Sequence, residues 1–213
     1  QFSDAIKTLK IVIKKYPNQL EALTLLGTVH LHQANFELGI EFLKKALLIS
    51  PNQSFALNNI GNGYYELKDY QSAIISFDKA ISLNPNDFRA YYDRGRSYDA
   101  INEYTKAIYS YEKALKINRN FIEAYKSIST ALKKKLEYEK AILYLNEALK
   151  LNNQDIDLFL LLGGLLDNVC EYHKAISKYK EALRIEPNSI RIHEQIVSSA
   201  LNNPTTNFKI DVL

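Results

Sequence analysis

The stretch that decides the fold spans residues 54–86 and reads SFALNNIGNGYYELKDYQSAIISFDKAISLNPN. It holds two apolar patterns of helical period, joined by a short polar turn at residues 68–69. Gly61 and Ala73 are small, as required where the axes of two antiparallel helices come closest. Pro85 ends the second helix, because proline lacks the backbone N–H that a helix interior uses. The stretch therefore predicts a helix pair, and one such pair needs stacked neighbours to bury its apolar face.

The same pattern recurs along the chain with a period of 34 residues. Prolines follow this spacing at Pro17, Pro51, Pro85 and, three periods later, Pro187. The small residue of the first helix recurs as Gly27, Gly61, Gly95, Ser129 and Gly163. An aromatic residue opens each second helix at Phe2, Phe36, Tyr70, Tyr104, Tyr138 and Tyr172. Columns that stay in phase over most of the chain indicate tandem helix–turn–helix repeats.

This pattern resembles the tetratricopeptide repeat, a 34-residue helix–turn–helix unit with a Gly…Ala…Phe…Ala…Pro signature. In the stretch above, the signature residues are Gly61, Ala73, Phe77, Ala80 and Pro85. The position that usually holds tryptophan in this family is filled by Leu23, Leu57, Tyr91, Tyr125 and Phe159. The resemblance covers nearly all of the chain, and it implies an all-α fold, a right-handed α-solenoid of tandem repeats.

The repeat register predicts a single array over residues 1–203. It comprises a partial repeat at 1–19, full repeats at 20–53, 54–87, 88–121, 122–155 and 156–189, and a C-terminal capping helix at 190–203. First helices are expected near 20–33, 54–67, 88–101, 122–135 and 156–169, and second helices near 36–49, 70–83, 104–117, 138–151 and 172–185. Asn86 precedes a first helix and is expected to cap it. Residues 204–213 show no helix signal and are expected to form an extended tail.

The N-terminal segment matches the second helix of a repeat whose first helix is missing. The chain also has no methionine, so we expect it to be a piece of a longer protein. The uncovered side of this helix should leave open an apolar stripe formed by Phe2, Ile6, Leu9 and Ile13. Because an exposed apolar patch usually marks an interaction site, the stripe predicts a homotypic contact through this helix.

Composition excludes several classes of partner. Lys and Arg total 27 against 24 Asp and Glu, so the net charge is +3, which indicates a solvated surface rather than one that binds nucleic acid. No apolar run approaches the roughly 20 residues of a membrane-spanning helix. The single cysteine, Cys170, excludes an intrachain disulfide and fits a reducing compartment, so we expect a cytoplasmic location.

No group of residues in the sequence indicates catalysis, and no cofactor or metal is expected. His30 and His32 are two residues apart and would point to different sides of a helix. His30 shares its column with Tyr64 and Leu132, so it is expected to pack in the core. No His–acid pair accompanies Cys170, and helix packing explains the glycines better than a phosphate loop does.

The fifth repeat carries two successive glycines. Gly163 belongs to the small-residue column, whereas Gly164 is an additional glycine in the middle of a helix. Since glycine is about 1 kcal/mol less favourable than alanine inside a helix, this repeat is expected to be a soft spot.

The family resemblance implies that first helices line a concave face, into which fixed motif positions point. In the second and third repeats these positions hold amides, aromatics and arginines, and the fourth repeat adds a lysine. The residues are Asn58, Asn59, Asn62, Tyr65, Arg89, Tyr92, Arg96 and Lys126. Amides can donate to and accept from a peptide backbone, tyrosines add apolar area, and arginines pair with acids. The sequence therefore predicts an extended peptide or partner protein bound there, centred on the second to fourth repeats.

Two acids on the same predicted face restrict the ligand. Asp93 and Glu123 should disfavour a terminal carboxylate and favour an internal segment of mixed charge. Residues 205–213 have this mixed character, and we expect them to be a candidate occupant of such a groove.

The predicted function is a non-catalytic protein–protein interaction scaffold. Two alternatives remain open. One is the substrate-recruiting repeat region of a larger enzyme such as a glycosyltransferase, and the other is a self-assembly module whose exposed ends stack. The parent sequence on either side of the chain would test the first alternative, and light scattering would test the second.

Overall fold

The described part of the chain, residues 2–203 of the computed structural model, forms twelve α-helices and no strand. Side chains are described from residue 6 onward, and the expected tail lies outside the described residues. The helices are α1 (Phe2–Lys15), α2 (Leu20–His32), α3 (Phe36–Ile49), α4 (Ser54–Glu66), α5 (Tyr70–Leu83), α6 (Phe88–Ala100), α7 (Tyr104–Ile117), α8 (Ile122–Lys134), α9 (Tyr138–Leu151), α10 (Ile156–Asn168), α11 (Tyr172–Ile185) and α12 (Ile190–Asn202). The all-α class is confirmed.

The helices follow the repeat register closely. From α2 to α11, each first helix begins at the expected residue and ends one residue early, whereas each second helix has the expected bounds. Helix α4 continues through Asn62 and Gly63, although an Asn-Gly pair in isolation favours a hairpin turn. The long-range repeat pattern therefore outweighs this local signal.

The two helices of a repeat come closest at the small-residue column. A Cβ atom added to Gly61 would lie 2.5 Å from the Cε1 of Phe77, and one added to Gly95 would lie 2.5 Å from the Cε1 of Tyr111. The fourth repeat has Ser129 at this position, with the smaller Leu145 in the column of Phe77. The small residues are therefore required by the ring or leucine that packs across from them.

The turn inside each repeat has one residue in the left-handed region. Its φ lies between 59° and 63° in all five repeats, at Ala34, Lys68, Asn102, Leu136 and Cys170. The N–H of the next residue donates to a carbonyl five residues back, as from Asp69 to Tyr64 at 2.9 Å. This arrangement satisfies carbonyls at the end of the first helix. Glycine usually occupies such a position, yet none of the five residues is glycine.

The expectation for Asn86 is wrong, because the residue after it caps α6. An Asp87 carboxylate oxygen accepts hydrogen bonds from the N–H groups of Arg89 (3.0 Å) and Ala90 (3.3 Å). Asp155 caps α10 in the same way, accepting from the N–H of Leu158 at 3.2 Å. The cap belongs to the extended residue directly before the first helical one, since only there does a side-chain oxygen reach the free N–H groups.

The chain divides into two compact units, residues 1–119 and 120–213. The sequence gives no sign of this division, and the grouping of all repeats in one array stays a prediction. In the first unit, α2 packs against α4 and α4 against α6, while the second helices show no comparable contact with one another within residues 2–119. The first helices therefore form the inner face of this unit. In the second unit, α8 packs against α10 in the same manner.

Candidate functional site

The inner face of the first unit contains a cavity of about 180 Å³ between α2 and α4. Leu31 and Phe36 provide apolar walls, while Thr28, Asn59 and Asn62 provide polar ones. The Asn59 Nδ2 donates to the Thr28 Oγ1 at 3.3 Å and so joins the two helices. Within the described residues nothing donates to the Asn59 Oδ1, which leaves this oxygen as an acceptor for a ligand.

Arg96 is the centre of a second cluster, between α4 and α6. The carbon of its guanidinium lies 4.2 Å from the centroid of the Tyr65 ring, and its Nη1 lies 3.5 Å from the Asp93 Oδ1. The Asp93 side chain is only 16% exposed. Burial raises the pKa of its carboxyl, and the neighbouring Arg96 and, to a smaller extent, the Asn62 amide partly oppose that rise. Asp93 therefore serves Arg96 and Asn62 instead of standing free in the groove.

Three interactions thus connect the first helices of this unit in series. Thr28–Asn59 joins α2 to α4 by a hydrogen bond, and Tyr65–Arg96 joins α4 to α6 by a contact of the guanidinium with the ring. The third is electrostatic, between the Asn62 amide and the Asp93 carboxyl, and also joins α4 to α6. We call this set the cross-helix ladder. It contains four of the eight residues that the sequence predicts for the site.

The other predicted residues of the first unit lie beside the ladder. The Tyr92 ring packs on buried Tyr111 of α7, with 5.4 Å between ring centroids. The Asn58 Oδ1 is buried, and it lacks a hydrogen-bond donor within the described residues. Arg89 is exposed at the start of α6, with its guanidinium carbon 5.6 Å from the ring centroid of Phe88.

The eighth predicted residue, Lys126, belongs to the second unit. Its Nζ lies 2.7 Å from the Asp155 Oδ2 and 3.8 Å from the Asp157 Oδ2. Lys126 also lines a cavity of about 370 Å³ that the sequence reasoning missed. Leu160, Leu161 and Gly164 of α10 line it too.

Basic side chains surround this second cavity. Lys133 of α8 and Arg191 of α12 line it, and both are exposed. Neither has an ion-pair partner within the described residues. A signal for the cavity was present in the register, because Gly164 replaces the larger Thr28, Asn62, Arg96 and Thr130 of the preceding repeats.

Comparison with known proteins identifies the family. Profiles of the tetratricopeptide repeat match residues 1–54, 54–87, 88–121 and 122–155. The crystal structure of MamA is 34% identical, covers 71% of this chain and 89% of the MamA chain, and superposes with a TM-score of 0.70. The chain belongs to the tetratricopeptide repeat family. Its fold class is the all-α solenoid of tandem helix pairs, as expected.

Two other solved structures share the tetratricopeptide repeat fold. PilF from Pseudomonas aeruginosa is 24% identical, with a TM-score of 0.74, and the match covers 92% of this chain and 90% of PilF. YrrB, described as a TPR protein with an unusual peptide-binding site, is 18% identical, with a TM-score of 0.72 and coverage of 87% and 96%. These identities show the fold alone. No sequence among the curated proteins matches the chain.

The family bears on the class of function. Tetratricopeptide repeat proteins bind protein or peptide partners, which supports a protein-interaction scaffold. An architecture made of these repeats is typically non-catalytic. Within residues 2–203, no helix is sufficiently long and apolar to cross a membrane.

His30 is a buried histidine, as its column predicts. It is 4% exposed, and its ring stacks on Phe42 with 5.7 Å between centroids. Neither ring nitrogen has a hydrogen-bond partner within the described residues. Burial lowers the pKa of His30, and the charge of Lys10 lowers it further. His30 is therefore a packed core residue of this tetratricopeptide repeat protein.

Proposed function

We propose that the chain is a non-catalytic protein-interaction scaffold that binds an extended peptide along the inner face of its first unit. The observation that carries the proposal is the cross-helix ladder, which runs over α2, α4 and α6 beside the cavity of about 180 Å³. A peptide laid across these helices would meet amides, a hydroxyl and a guanidinium in succession.

The chemistry of the ladder suits a peptide backbone with an acidic side chain. The Asn59 and Asn62 amides supply donors and acceptors, which an extended backbone needs whatever its sequence. Arg96 already rests on the Tyr65 ring and against Asp93. Its direction is therefore set before the ligand arrives, so little side-chain entropy is lost on binding.

The remaining predicted residues are proposed contacts, each within its own unit. Asn58, Tyr92 and Arg89 are proposed contacts beside the ladder. Lys126 is a proposed contact in the second unit, where its charge is shared with Asp155. A cytoplasmic location also stays a prediction.

The test starts with short peptides selected from a random library by the wild-type chain. Their affinities are then compared for the wild type and for the double variant Asn59→Ala, Arg96→Ala. We expect affinity to fall by about tenfold or more, because each lost polar contact to a charged or buried group is worth about 1–3 kcal/mol. Lys79→Ala is the control, since this lysine is exposed on α5. Equal affinity of the double variant for every selected peptide would place the site elsewhere.

A separate variant tests the arginine geometry. Arg96→Lys keeps the charge but loses the planar group that stacks on Tyr65. If the stacked geometry matters, Arg96→Lys should weaken binding nearly as much as Arg96→Ala. Unfolding curves of each variant show whether a loss of binding comes from a loss of folded protein.

We also propose a homotypic contact through α1. Within the described side chains, the expected stripe is half buried at Ile6, Leu9 and Ile13, and the exposed apolar side chain of this helix is Ile11, at 70%. Phe2 lies outside the described side chains. Sedimentation at rising concentration should show a dimer that Leu9→Glu, in the stripe, abolishes, whereas Ile11→Glu, on the other side of α1, should leave it intact. A chain that stays monomeric at high concentration would contradict this contact.

A further inference from the structure

We infer that the second unit carries a docking site of its own, which takes an apolar side chain of a partner protein's segment flanked by acidic residues. The site is the cavity of about 370 Å³ lined by α8, α10 and α12. Its volume lies within the range of about 300–1,000 Å³ that is typical of ligand pockets. The inference concerns residues 120–203 and does not rest on the site proposed for the first unit.

A slot for the apolar side chain exists because Gly164 has none. A Cβ atom added there would meet a single neighbour, the Tyr179 hydroxyl, at 3.8 Å, which is ordinary van der Waals distance. At Gly163, in contrast, the added atom would lie 2.3 Å from the Tyr179 Cε1. Of the two adjacent glycines, only Gly163 is required by packing, so Gly164 leaves open space on the inner face.

The floor of the slot is made of leucines. Leu145 and Leu165 are buried beneath it, Leu160 is half buried, and Leu161 is exposed. The positions equivalent to Leu160 and Leu161 hold the amides Asn58 and Asn59 in the second repeat, and Lys126 and Ser127 in the fourth. An apolar floor on a face that is otherwise polar leaves surface that a partner's aliphatic side chain can cover favourably.

The rim carries uncompensated positive charge. Lys126 is neutralised in part by Asp155 and Asp157. Lys133 and Arg191 have no acidic partner within the described residues, and they come from α8 and α12, while the slot belongs to α10. Acidic residues of the partner segment can pair with both cations while the apolar side chain fills the slot.

The lining favours a protein segment over single-stranded nucleic acid. Sites for single strands combine a basic groove with aromatic side chains on which bases stack. Within the described residues, no aromatic side chain lines this cavity. The combination of a leucine floor with two free cations fits an acidic segment with one apolar anchor.

The experiment measures fluorescence anisotropy of a labelled probe peptide against the whole chain. The probe places one leucine between two pairs of aspartates, within a glycine–serine segment. We expect saturable binding that weakens with added salt, because exposed charges contribute to it. The double variant Lys133→Glu, Arg191→Glu should weaken binding by about tenfold or more, since two attractions become repulsions. Gly164→Leu, which fills the slot, should also weaken it.

Matched controls separate this site from general charge and from unfolding. Lys180→Glu reverses an exposed lysine on α11 that does not line the cavity, and it should leave the affinity unchanged. A probe with lysines in place of the aspartates, or with glycine in place of the leucine, should bind at least about tenfold more weakly. The thermal midpoint of Gly164→Leu shows whether its unit remains folded.

Several results would overturn the inference. They are no saturable binding at millimolar probe, equal binding of the lysine probe, or an equal loss of affinity with Lys180→Glu. Tight binding of an oligothymidine that Lys133→Glu abolishes would show that the basic rim serves nucleic acid instead. Loss of peptide binding at the cross-helix ladder leaves these outcomes untouched, because the probe, the variants and the unit all differ.

Discussion

The pair Gly163→Ala and Gly164→Ala offers a sharp test of the packing, because two adjacent glycines should respond in opposite directions. At Gly163 the added Cβ atom would lie 2.3 Å from the Cε1 of Tyr179, whereas carbon atoms pack best at about 3.5–4.0 Å. Tyr179 cannot move away easily. It is fully buried, and its hydroxyl donates to the Asp167 Oδ2 at 2.8 Å.

The magnitudes follow from two opposing effects. Alanine is about 1 kcal/mol more favourable than glycine in a helix interior, which benefits both variants. Overpacking a filled contact destabilises by about 1–3 kcal/mol, and this applies to Gly163→Ala alone. We therefore expect Gly164→Ala to raise the free energy of unfolding by about 1 kcal/mol over the wild type. The free energy of unfolding of Gly163→Ala should be about 1–3 kcal/mol lower than that of Gly164→Ala.

Urea unfolding of the whole chain, followed by circular dichroism, measures the difference. Since repeat proteins can unfold in stages, hydrogen exchange of the α10 and α11 amides supplies a local measurement beside the global one. If Gly163→Ala is as stable as Gly164→Ala, the conclusion that the Tyr179 ring requires glycine at position 163 is wrong. If Gly164→Ala brings no gain in stability, the expected soft spot of the fifth repeat has a different origin.

Three further predictions concern other parts of the chain. Acidification from about pH 7.5 to about pH 5 should destabilise the protein, because burial lowers the pKa of His30 below its ordinary 6.5, so that the unfolded chain binds the proton more readily than the folded one. Urea titrations at both pH values should show a smaller loss of stability in His30→Leu than in the wild type, and an equal loss would contradict this role of His30. Leu136→Asn should stabilise the protein by about 1 kcal/mol, since this 69% exposed leucine has a φ of 61° and asparagine tolerates the left-handed region better. Asn102 occupies the equivalent turn position of the third repeat, and a lower midpoint of thermal unfolding in Leu136→Asn would refute the argument. Ser199→Ala should lower the local stability of α12 by about 1.5–3 kcal/mol, because the buried Ser199 hydroxyl lies 2.7 and 2.8 Å from the two Asp167 carboxylate oxygens. Unchanged hydrogen exchange of the α12 amides in this variant would count against the prediction.

Much of the fold could be predicted because the repeat averages out local ambiguity. One Asn-Gly pair favours a turn, but Gly61 recurs in phase with Gly27 and Gly95, and the register places Asn62 within a helix. The buried state of His30 was predictable for the same reason. Details that depend on the exact residue at which a helix begins were not predictable. The cap of α6 is an example, because it is the extended residue directly before the helix, Asp87, and not Asn86.

The turns show a second limit of sequence reasoning. Glycine is the usual sign of a left-handed residue, and Ala34, Lys68 and Leu136 give no such sign. Helix packing on both sides of the turn imposes the conformation there, so a residue without that preference accepts it. The same position is occupied by five different residue types across the five repeats.

The candidate site was predictable in composition but not in connectivity. Motif positions grouped Asn59, Asn62, Tyr65 and Arg96 correctly on the first helices. They could not show that Asp93 is mostly buried beside Arg96, since this depends on side-chain directions in two repeats. The second cavity escaped notice because it depends on a missing side chain at Gly164 and on two cations, each about one repeat away, one before it and one after it.

Each repeat is a helical hairpin in which a small residue of the first helix matches a large residue of the second. This matching determines which recombinants of the gene can still fold. Ser129 donates a hydrogen bond to the Ala141 carbonyl at 3.1 Å across its own repeat. A chimera that joined α8 to α5 would set the Phe77 ring against that serine instead of against Gly61, and would overpack the contact. Crossover points in the loops between repeats keep each pair together. Whole hairpins should therefore be exchangeable by unequal crossing-over or by design, whereas single helices should not.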